Sequence, residues 1–391
     1  MEASLYIHVP FCAGACDYCD FYSVRCRPSD PRQDAYVDKV LDEVEAGLAA
    51  EAVDSVPTVF IGGGTPTLLG AARLGRLIGG VLARCPGRPA EVTVEANPES
   101  LDAGVLAALE GAGANRVSLG VQSLNGRSRE AVCRLGSVES SLRALDLVSS
   151  TFRGRFSVDL IAGLPFQDEA SLRSDIARLL SAGVSHVSLY SLIVEEGTPL
   201  ASRADRGAAD LPDDEASDEL WLAGRDALEA AGLRQYEVSN FARAGEACAH
   251  NLRYWRMESW LGFGPAASGT LVDEGEGTAR RISVKSDVDL WLAGGPSVDE
   301  ERVDRRGLME ETFMMGFRTL AGPDPTLFLR RFGAPLEAFI GDTLAAWRSR
   351  GLARKDAAAL TSEGLLFLDP FVLECVAELD RTFGRPESYS R

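Results

Sequence analysis

The stretch "YIHVPFCAGACDYCDFYS" (residues 6–23) contains Cys12, Cys16 and Cys19, spaced C-x3-C-x2-C directly after an apolar run. A structural zinc ion needs a fourth ligand, and only Cys26 or His8 is near, at no standard spacing. A disulfide with one spare thiol is a second alternative. A [4Fe–4S] cluster is held by thiolates, and three of them leave one iron open to a small molecule. The short loop of small residues between the first two cysteines favours the cluster.

Composition and charge exclude several classes of protein. Lys and Arg number 40 against 58 Asp and Glu, a net charge of −18, which argues against nucleic acid and anionic membranes as partners. No run approaches the ~18 apolar residues of a membrane helix, and "MEASLYIHVP" lacks the basic start of a signal peptide. The other cysteines are scattered, unlike a secreted disulfide framework. We therefore expect a protein of a reducing compartment, most simply the cytoplasm.

Short β-branched runs alternate with longer stretches of helical period over the first half of the chain. The predicted strands cover residues 5–10, 58–64, 91–97, 116–123, 156–165 and 186–194. Strands that alternate with helices of this length predict βα units and a parallel sheet. Six units are too few for an eight-fold barrel. The predicted fold class is therefore α/β, a partial (βα)6 barrel with a small, mainly helical C-terminal domain.

The predicted domains follow from changes in this pattern. Residues 1–200 form the barrel, and residues 201–292 form an extension that contains "HNLRYW" (250–255). A charged, linker-like stretch at 293–307 precedes a C-terminal domain at 307–391, which we expect to resemble a winged helix.

Five short motifs follow predicted strands and indicate where a site lies. They are the cysteine loop, "GGGTP" (62–66), "EANP" (95–98), "GVQS" (120–123) and "GLP" (163–165). In parallel α/β sheets, active sites gather at the carboxyl ends of the strands, so these motifs are expected on one rim. Taken alone, "GGGTP" is equally consistent with an ordinary tight turn, but glycines also let backbone approach a ligand closely.

The cysteine spacing, with the aromatic Tyr18 before the third cysteine, resembles the signature of the radical S-adenosylmethionine (SAM) superfamily. That resemblance implies a [4Fe–4S] cluster on Cys12, Cys16 and Cys19, with SAM on the open iron. It also implies an electron donor, because reduction of the cluster precedes cleavage of SAM to a 5′-deoxyadenosyl radical. "GGGTP" is similar to the superfamily's loop that contacts the methionine moiety of SAM.

Further motifs narrow the resemblance. "YIHVPFC", "GGGTPT", "VEANPE", "RVSLGVQS", "DLIAGLP" and "YSLIVEEGTPL" are similar to oxygen-independent coproporphyrinogen III oxidases and to haem chaperones of the HemW family. By position, the resemblance implies SAM contacts at Tyr6, Tyr18, Gly63, Gly64, Thr65, Glu95, Gln122, Arg134 and Asp159. The alternative for the polar members is a buried network at the strand ends. Burial of a carboxylate demands a partner in either case.

Two features separate the oxidase from the chaperone. The oxidase motif resembles C-x3-C-x2-C-x-C, with a fourth cysteine two residues after the third. This chain has Phe21 at that position, and the missing fourth cysteine resembles the chaperones. "HNLRYW" is similar to a chaperone motif, which implies a haem site at His250, Asn251, Tyr254 and Trp255. An imidazole can ligate haem iron, and aromatic rings can lie against the porphyrin. The alternative is a structural His–Asn pair beside packed aromatic residues.

The chain also departs from the resemblance. Gly136 and Ser268 stand where histidines are common in the family, so only His8, His186 and His250 remain. If haem requires two protein imidazoles, this sequence can barely supply them, and Cys248 is an alternative ligand or a buried apolar residue.

We predict a haem chaperone that binds haem as cargo and transfers it to an acceptor protein, with a [4Fe–4S] cluster and exchangeable SAM. The first alternative is an oxygen-independent coproporphyrinogen III oxidase, in which the radical abstracts hydrogen from a porphyrinogen propionate. The second is a cluster-bearing scaffold that does not turn SAM over. The expected partners are haem, an acceptor protein and an electron donor, and the resemblance allows a peripheral membrane contact through the acceptor.

Overall fold

The computed structural model describes residues 1–295 and 297–383. The strands are β1 (Ser4–Val9), β2 (Phe11–Cys12), β3 (Val24–Arg25), β4 (Thr58–Gly63), β5 (Glu91–Ala96), β6 (Arg116–Gln122), β7 (Arg155–Ala162), β8 (His186–Ser191), β9 (Arg234–Gln235), β10 (Asn240–Ala242), β11 (Trp260–Phe263), β12 (Ser268–Asp273), β13 (Thr278–Val284) and β14 (Val298–Val303). The helices are α1 (Arg32–Ala50), α2 (Gly70–Arg84), α3 (Ala103–Ala112), α4 (Gly126–Ala131), α5 (Val138–Thr151), α6 (Glu169–Ser181), α7 (Pro199–Ala204), α8 (Asp214–Ala230), α9 (Ala249–Trp255), α10 (Val288–Leu292), α11 (Arg305–Gly316), α12 (Pro325–Phe332), α13 (Glu337–Ser349), α14 (Ser362–Leu365) and α15 (Leu368–Phe383).

The main sheet has the strand order β14-β13-β12-β11-β1-β4-β5-β6-β7-β8-β10-β9. From β1 through β8 in this order, each strand pairs in parallel with the next, and helices connect them. This arrangement confirms the predicted partial barrel of six βα units. Antiparallel strands extend the sheet at both edges.

Alternation along the central strands separates a helix-packed face from an inner face. On β6, Val117, Leu119 and Val121 are buried in the main core, whereas Ser118 and Gly120 line a cavity. Successive side chains of a strand point to opposite faces, so this sequence commits one face to the core and leaves the other for a site.

The covering helices are amphipathic. On α2, Leu74, Leu77, Ile78 and Val81 are buried at steps of one, three and four residues, so they form a single apolar stripe. Each such side chain contributes about 1.5–3 kcal/mol when it leaves water. The stripe therefore holds the helix against the sheet and fixes the position of the strand ends.

A second apolar core lies in the C-terminal part of the chain. It contains Phe313, Phe317, Trp347 and Phe371, and it also includes Val303 from β14. The expectation of a linker at 293–307 was therefore wrong in part, because residues 298–303 pair with β13. Five of the six residues of β14 are exposed and four are charged, which is why its sequence does not look like a strand. The domain boundaries stay a prediction, and residues 384–391 lie outside the described residues.

Within the part of the chain that the structure describes, no helix is both long and apolar enough to span a bilayer.

Candidate functional site

A cavity of about 420 Å³ opens at the carboxyl ends of the parallel strands. The loops after β1, β4, β5, β6 and β7 all contribute to its wall, as the motif positions predict. The predicted site residues in this wall are Cys12, Cys16, Tyr18, Cys19, Gly63, Gly64, Thr65, Glu95, Gln122, Arg134 and Asp159. Tyr6 is not among the residues that line this cavity. Its hydroxyl group is hydrogen-bonded to Nδ1 of His8 at 2.9 Å. The structure thus brings most of these residues together, while their individual roles stay predictions.

The cysteine loop is anchored by a short parallel pair of strands. β2 pairs with β3, and the backbone N–H of Cys26 donates to the carbonyl oxygen of Cys12 at 2.9 Å. Sγ of Cys12 lies 3.3 Å from Oγ1 of Thr65, which belongs to the glycine loop. The first cysteine is therefore fixed from two sides.

The positions of the three thiols fit a four-iron cluster, because Cys12, Cys16 and Cys19 line one cavity. Among the described residues, no three His, Cys, Asp or Glu side chains are placed to hold a single ion. A four-iron cluster presents separate irons, so its thiolates need not converge on one point. Burial raises the pKa of the Cys12 thiol, and it raises the pKa of Cys19 to about 11. A coordinated metal deprotonates such thiols outright.

The glycine loop leaves no room for side chains. A Cβ atom on Gly64 would lie 2.8 Å from the carbonyl oxygen of Phe11 and 3.0 Å from that of Val9. Gly63 has a φ of +107°, and a Cβ there would contact the His8 ring at 2.8 Å. These glycines let the loop backbone lie directly against the end of β1, beside the cysteine loop.

A hydrogen-bonded network links the glycine loop to Arg134. Nδ2 of Asn97 donates to Oγ1 of Thr65 at 2.8 Å, and Nη2 of Arg134 donates to Oδ1 of Asn97 at 2.9 Å. Nη1 of Arg134 lies 3.6 Å from Sγ of Cys16 and 3.9 Å from Oε1 of Glu99. The guanidinium group therefore places positive charge beside the cysteines.

Sequence reasoning missed Asn97 and Glu99 as site residues, although both line the cavity. Asn97 is the third residue of "EANP", so a polar residue directly after a strand was the available signal. Its function is visible only when the structure brings residues 65 and 134 to the same amide.

Two acidic residues face the cavity from neighbouring parts of the sheet. Burial, together with the charge of Asp159, raises the pKa of Glu95 to about 8. Burial also raises the pKa of Asp159, although its carboxylate accepts hydrogen bonds from Oγ of Ser118 at 3.2 and 3.3 Å. Oε2 of Glu95 accepts a hydrogen bond from the backbone N–H of Gly63 at 3.1 Å. Such buried acids suit a ligand that brings ammonium or hydroxyl groups.

Gln122 occupies an irregular position at the end of β6. Its φ is +68°, and the pairing register with β7 shifts between Gly120 and Gln122. A bulge of this kind re-aims a side chain and is common beside active sites. It accounts for the position of Gln122 in the cavity wall.

The "HNLRYW" segment lies at the opposite end of the barrel. It forms α9, and Nδ1 of His250 is hydrogen-bonded to Oγ1 of Thr58 at 2.8 Å, at the amino end of β4. Nε2 of His250 is hydrogen-bonded to the hydroxyl group of Tyr254 at 2.9 Å. The side chain of His250 is 0% exposed. The structure therefore does not bring the predicted haem residues to the cysteines.

In the described structure, His250 is not accessible as a haem ligand. Both ring nitrogens of His250 already have protein partners, so neither can ligate iron in the described conformation. Asn251 and Trp255 are half-buried, and the guanidinium group of Arg318 lies 5.6 Å from the Trp255 ring. The arrangement favours the structural alternative, a packed histidine beside aromatic residues. A haem role for this segment stays a prediction that requires α9 to open.

Comparison with known proteins places the chain in a family. The model of the radical SAM superfamily matches residues 6–179. The "Heme chaperone HemW" of Bacillus subtilis is 34% identical over 370 residues, which cover 93% of this chain and 96% of that protein. The chain belongs to the HemW family of the radical SAM superfamily. Another HemW relative, from Escherichia coli, is 33% identical over 96% of this chain and 98% of its own length.

Two further comparisons extend this assignment. "Radical S-adenosyl methionine domain-containing protein 1, mitochondrial" of Bos taurus is 36% identical to this HemW-family chain over 96% of the chain and 84% of that protein. The solved structure of coproporphyrinogen III oxidase (HemN) from Escherichia coli superimposes with a TM-score of 0.79 at 22% identity. It covers 96% of this chain and 90% of HemN. At this identity, the match shows a shared fold.

Proposed function

We propose that this chain is a haem chaperone, which binds haem and passes it to an acceptor protein, and that it carries one [4Fe–4S] cluster with exchangeable SAM. The observation that carries the proposal is the cavity wall, which includes three cysteines and has Phe21 where the oxidase pattern requires a fourth. The printed names of the bacterial relatives, which match over nearly their whole lengths, support the same function.

In this proposal, Cys12, Cys16 and Cys19 hold the cluster at the mouth of the cavity. When bound and reduced, the cluster supplies the electron that cleaves SAM. Arg134 contributes a fixed positive charge beside Cys16, and Thr65 keeps Cys12 in place through the hydrogen bond described above. The cluster is thereby positioned by residues from three different strand ends.

The remaining wall residues are proposed to bind SAM. The backbone of Gly63 and Gly64 approaches the methionine moiety, because no side chain intervenes. Glu95 and Asp159 accept hydrogen bonds from the amino group or the ribose hydroxyl groups, with Gln122 beside them. Arg134 pairs with the SAM carboxylate. Tyr6 acts indirectly in this scheme, through its hydrogen bond to His8.

The oxidase remains the second candidate, favoured by the fold that the chain shares with HemN. An electron donor and a haem acceptor are required partners, and we propose the cytoplasm as the compartment. No two cysteines form a disulfide bond among the described residues, as is usual in a reducing compartment.

Anaerobically reconstituted protein should be tested for both activities in parallel. We expect near-stoichiometric binding of haem and its transfer to apomyoglobin as a probe acceptor. We also expect no conversion of coproporphyrinogen III with SAM and a reductant. Catalytic formation of protoporphyrinogen IX would establish the oxidase instead, and failure to bind haem at all would refute the chaperone proposal.

A further inference from the structure

The mouth of the cavity carries an exposed apolar surface, formed by Phe21, Tyr190, Ile193 and Val194. We refer to these four residues as the mouth patch. Phe21 is 67% exposed and Ile193 is 66% exposed. Phe21, Tyr190 and Ile193 also line the cavity, so the patch continues directly into the site described above. Large apolar side chains exposed together at one place indicate a binding surface.

The patch is built from two segments that both line the cavity. Phe21 follows the last cysteine of the loop, while the other three residues lie at the end of β8 and just beyond it. Tyr18 and Leu192, one from each segment, pack on the same small apolar core of Val132, Ile161 and Leu164. The backbone N–H of Leu192 also donates to the carbonyl oxygen of Ala162 at 2.8 Å. The patch therefore stands on fixed supports.

Neither folding nor the proposed SAM site accounts for this surface. Exposed apolar side chains contribute little to the core, since their surface remains in contact with water. The residues proposed to bind SAM are polar or glycine and lie at the strand ends. Phe21 and Ile193 are thus not among the residues proposed to hold the cluster or to bind SAM.

The described histidines do not provide an accessible place for haem. His8, His186 and His250 are all buried, and both ring nitrogens of His8 and of His250 have protein partners. Haem that binds without a rearranged histidine therefore needs other contacts, and an exposed apolar surface can supply them. A flat macrocycle packs well against exposed aromatic and aliphatic side chains.

We propose that the mouth patch is the docking surface for haem, with the macrocycle lying across Phe21 and Ile193. This inference rests on the proposed chaperone function. Haem is the occupant because the patch is apolar, exposed and continuous with the cavity wall, and because the bacterial relatives are named as haem chaperones. Haem on the mouth patch covers the entrance to the cavity, so SAM exchanges more slowly while haem is bound. By thermodynamic linkage, any effect of haem on SAM affinity appears equally as an effect of SAM on haem affinity.

The test compares Phe21→Ser, Ile193→Ser and the double variant with Leu373→Ser in the anaerobically reconstituted full chain. Leu373 is a matched control because it is 69% exposed on α15, in the C-terminal part of the chain. We expect the double variant to bind haem at least tenfold more weakly than wild type, and the control to change less than twofold. Iron content and thermal midpoint show that each variant is folded. If Phe21→Ser loses iron, Ile193→Ser alone carries the test, because it lies outside the cysteine loop.

The outcomes separate the two proposals. Wild-type protein that binds no haem refutes the chaperone function and, with it, the docking site. Equal haem affinity of the wild type and the double variant overturns the docking site and leaves the chaperone function standing. The double variant could instead keep its haem affinity but transfer haem poorly to apomyoglobin, or accept electrons poorly from a protein donor. Either result overturns the docking site and assigns the patch to a protein partner. Haem that leaves the rate of SAM exchange unchanged contradicts the position across the entrance.

Discussion

The carboxylate of Glu91 accepts a hydrogen bond from the backbone N–H of His250 at 2.9 Å, although the two residues are 159 positions apart. The same carboxylate accepts from the backbone N–H of Ala249 and from Nη2 of Arg155, each at 3.0 Å. The first N–H groups of a helix have no partner within it, and a negative charge there is favourable. Glu91 therefore attaches α9 to the amino end of the barrel.

Glu91→Gln is expected to destabilise the protein by about 2–4 kcal/mol, because the amide keeps the shape but removes a buried charge with four hydrogen-bond donors, Sγ of Cys248 among them. The measurement is the free energy of unfolding in urea, at equal cluster content. Glu169→Gln is the control, since its ion pair with Arg173 is exposed and should contribute less than about 1 kcal/mol. Equal effects of the two substitutions would contradict the role of Glu91.

Cys16→Ala is expected to abolish the cluster, because two thiolates cannot hold it in a solvent-accessible cavity. Anaerobic reconstitution of wild type should give about four irons and four sulfides per chain. Iron and sulfide analysis, with the visible absorption spectrum, provides the measurement.

Cys85→Ala is the matched control for the cluster, since Cys85 lies at the end of α2 and away from the cavity wall. It should retain full iron content. Wild-type protein that contains one zinc ion and no sulfide would contradict the cluster.

Gly64→Ala is expected to weaken SAM binding at least tenfold. Its Cβ atom would press on the carbonyl oxygens of Phe11 and Val9, so the loop or the end of β1 must shift. The SAM dissociation constant, measured by equilibrium dialysis, tests this, and iron content shows whether the cysteine loop moves as well. Gly79→Ala is the control, because no atom lies within 4 Å of its Cβ position. Unchanged affinity in Gly64→Ala would contradict the placement of the loop.

The strand ends could be predicted from sequence because both signals are local. The alternation of buried and cavity-facing residues along β6 and the glycines after β4 each depend on neighbours in the chain. Parallel pairing then brings the carboxyl ends together without further information. The common rim of the motifs follows from these two steps.

The environment of His250 could not be predicted, because it depends on distant residues. "HNLRYW" is compatible with a haem ligand or with a packed helix, and the choice depends on Thr58, 192 positions away. β14 escaped prediction for a related reason. Its six residues become a strand through pairing with β13, and the local charge pattern resembles a linker.

Glu237 gives a prediction about pH. It lies between β9 and β10 and is 0% exposed. Burial raises its pKa to about 7, whereas an unfolded glutamate has a pKa of about 4.3. Between these values, the folded state holds the proton that the unfolded state has released. The contribution of Glu237 to stability is therefore largest at low pH and falls as the pH rises toward 7 and above.

Glu237→Gln removes this titration, so its effect should depend on pH. At pH 8.5, the variant is expected to exceed wild type in free energy of unfolding by an amount on the order of 3 kcal/mol. At pH 4, below the pKa of the unfolded glutamate, the advantage should largely disappear, because Glu237 is then mostly neutral in both the folded and the unfolded protein. Urea denaturation at both pH values measures the difference. Glu219→Gln, at an exposed position on α8, should show no comparable dependence. A constant difference between Glu237→Gln and wild type across this range would mean that Glu237 is ionised in the folded protein throughout.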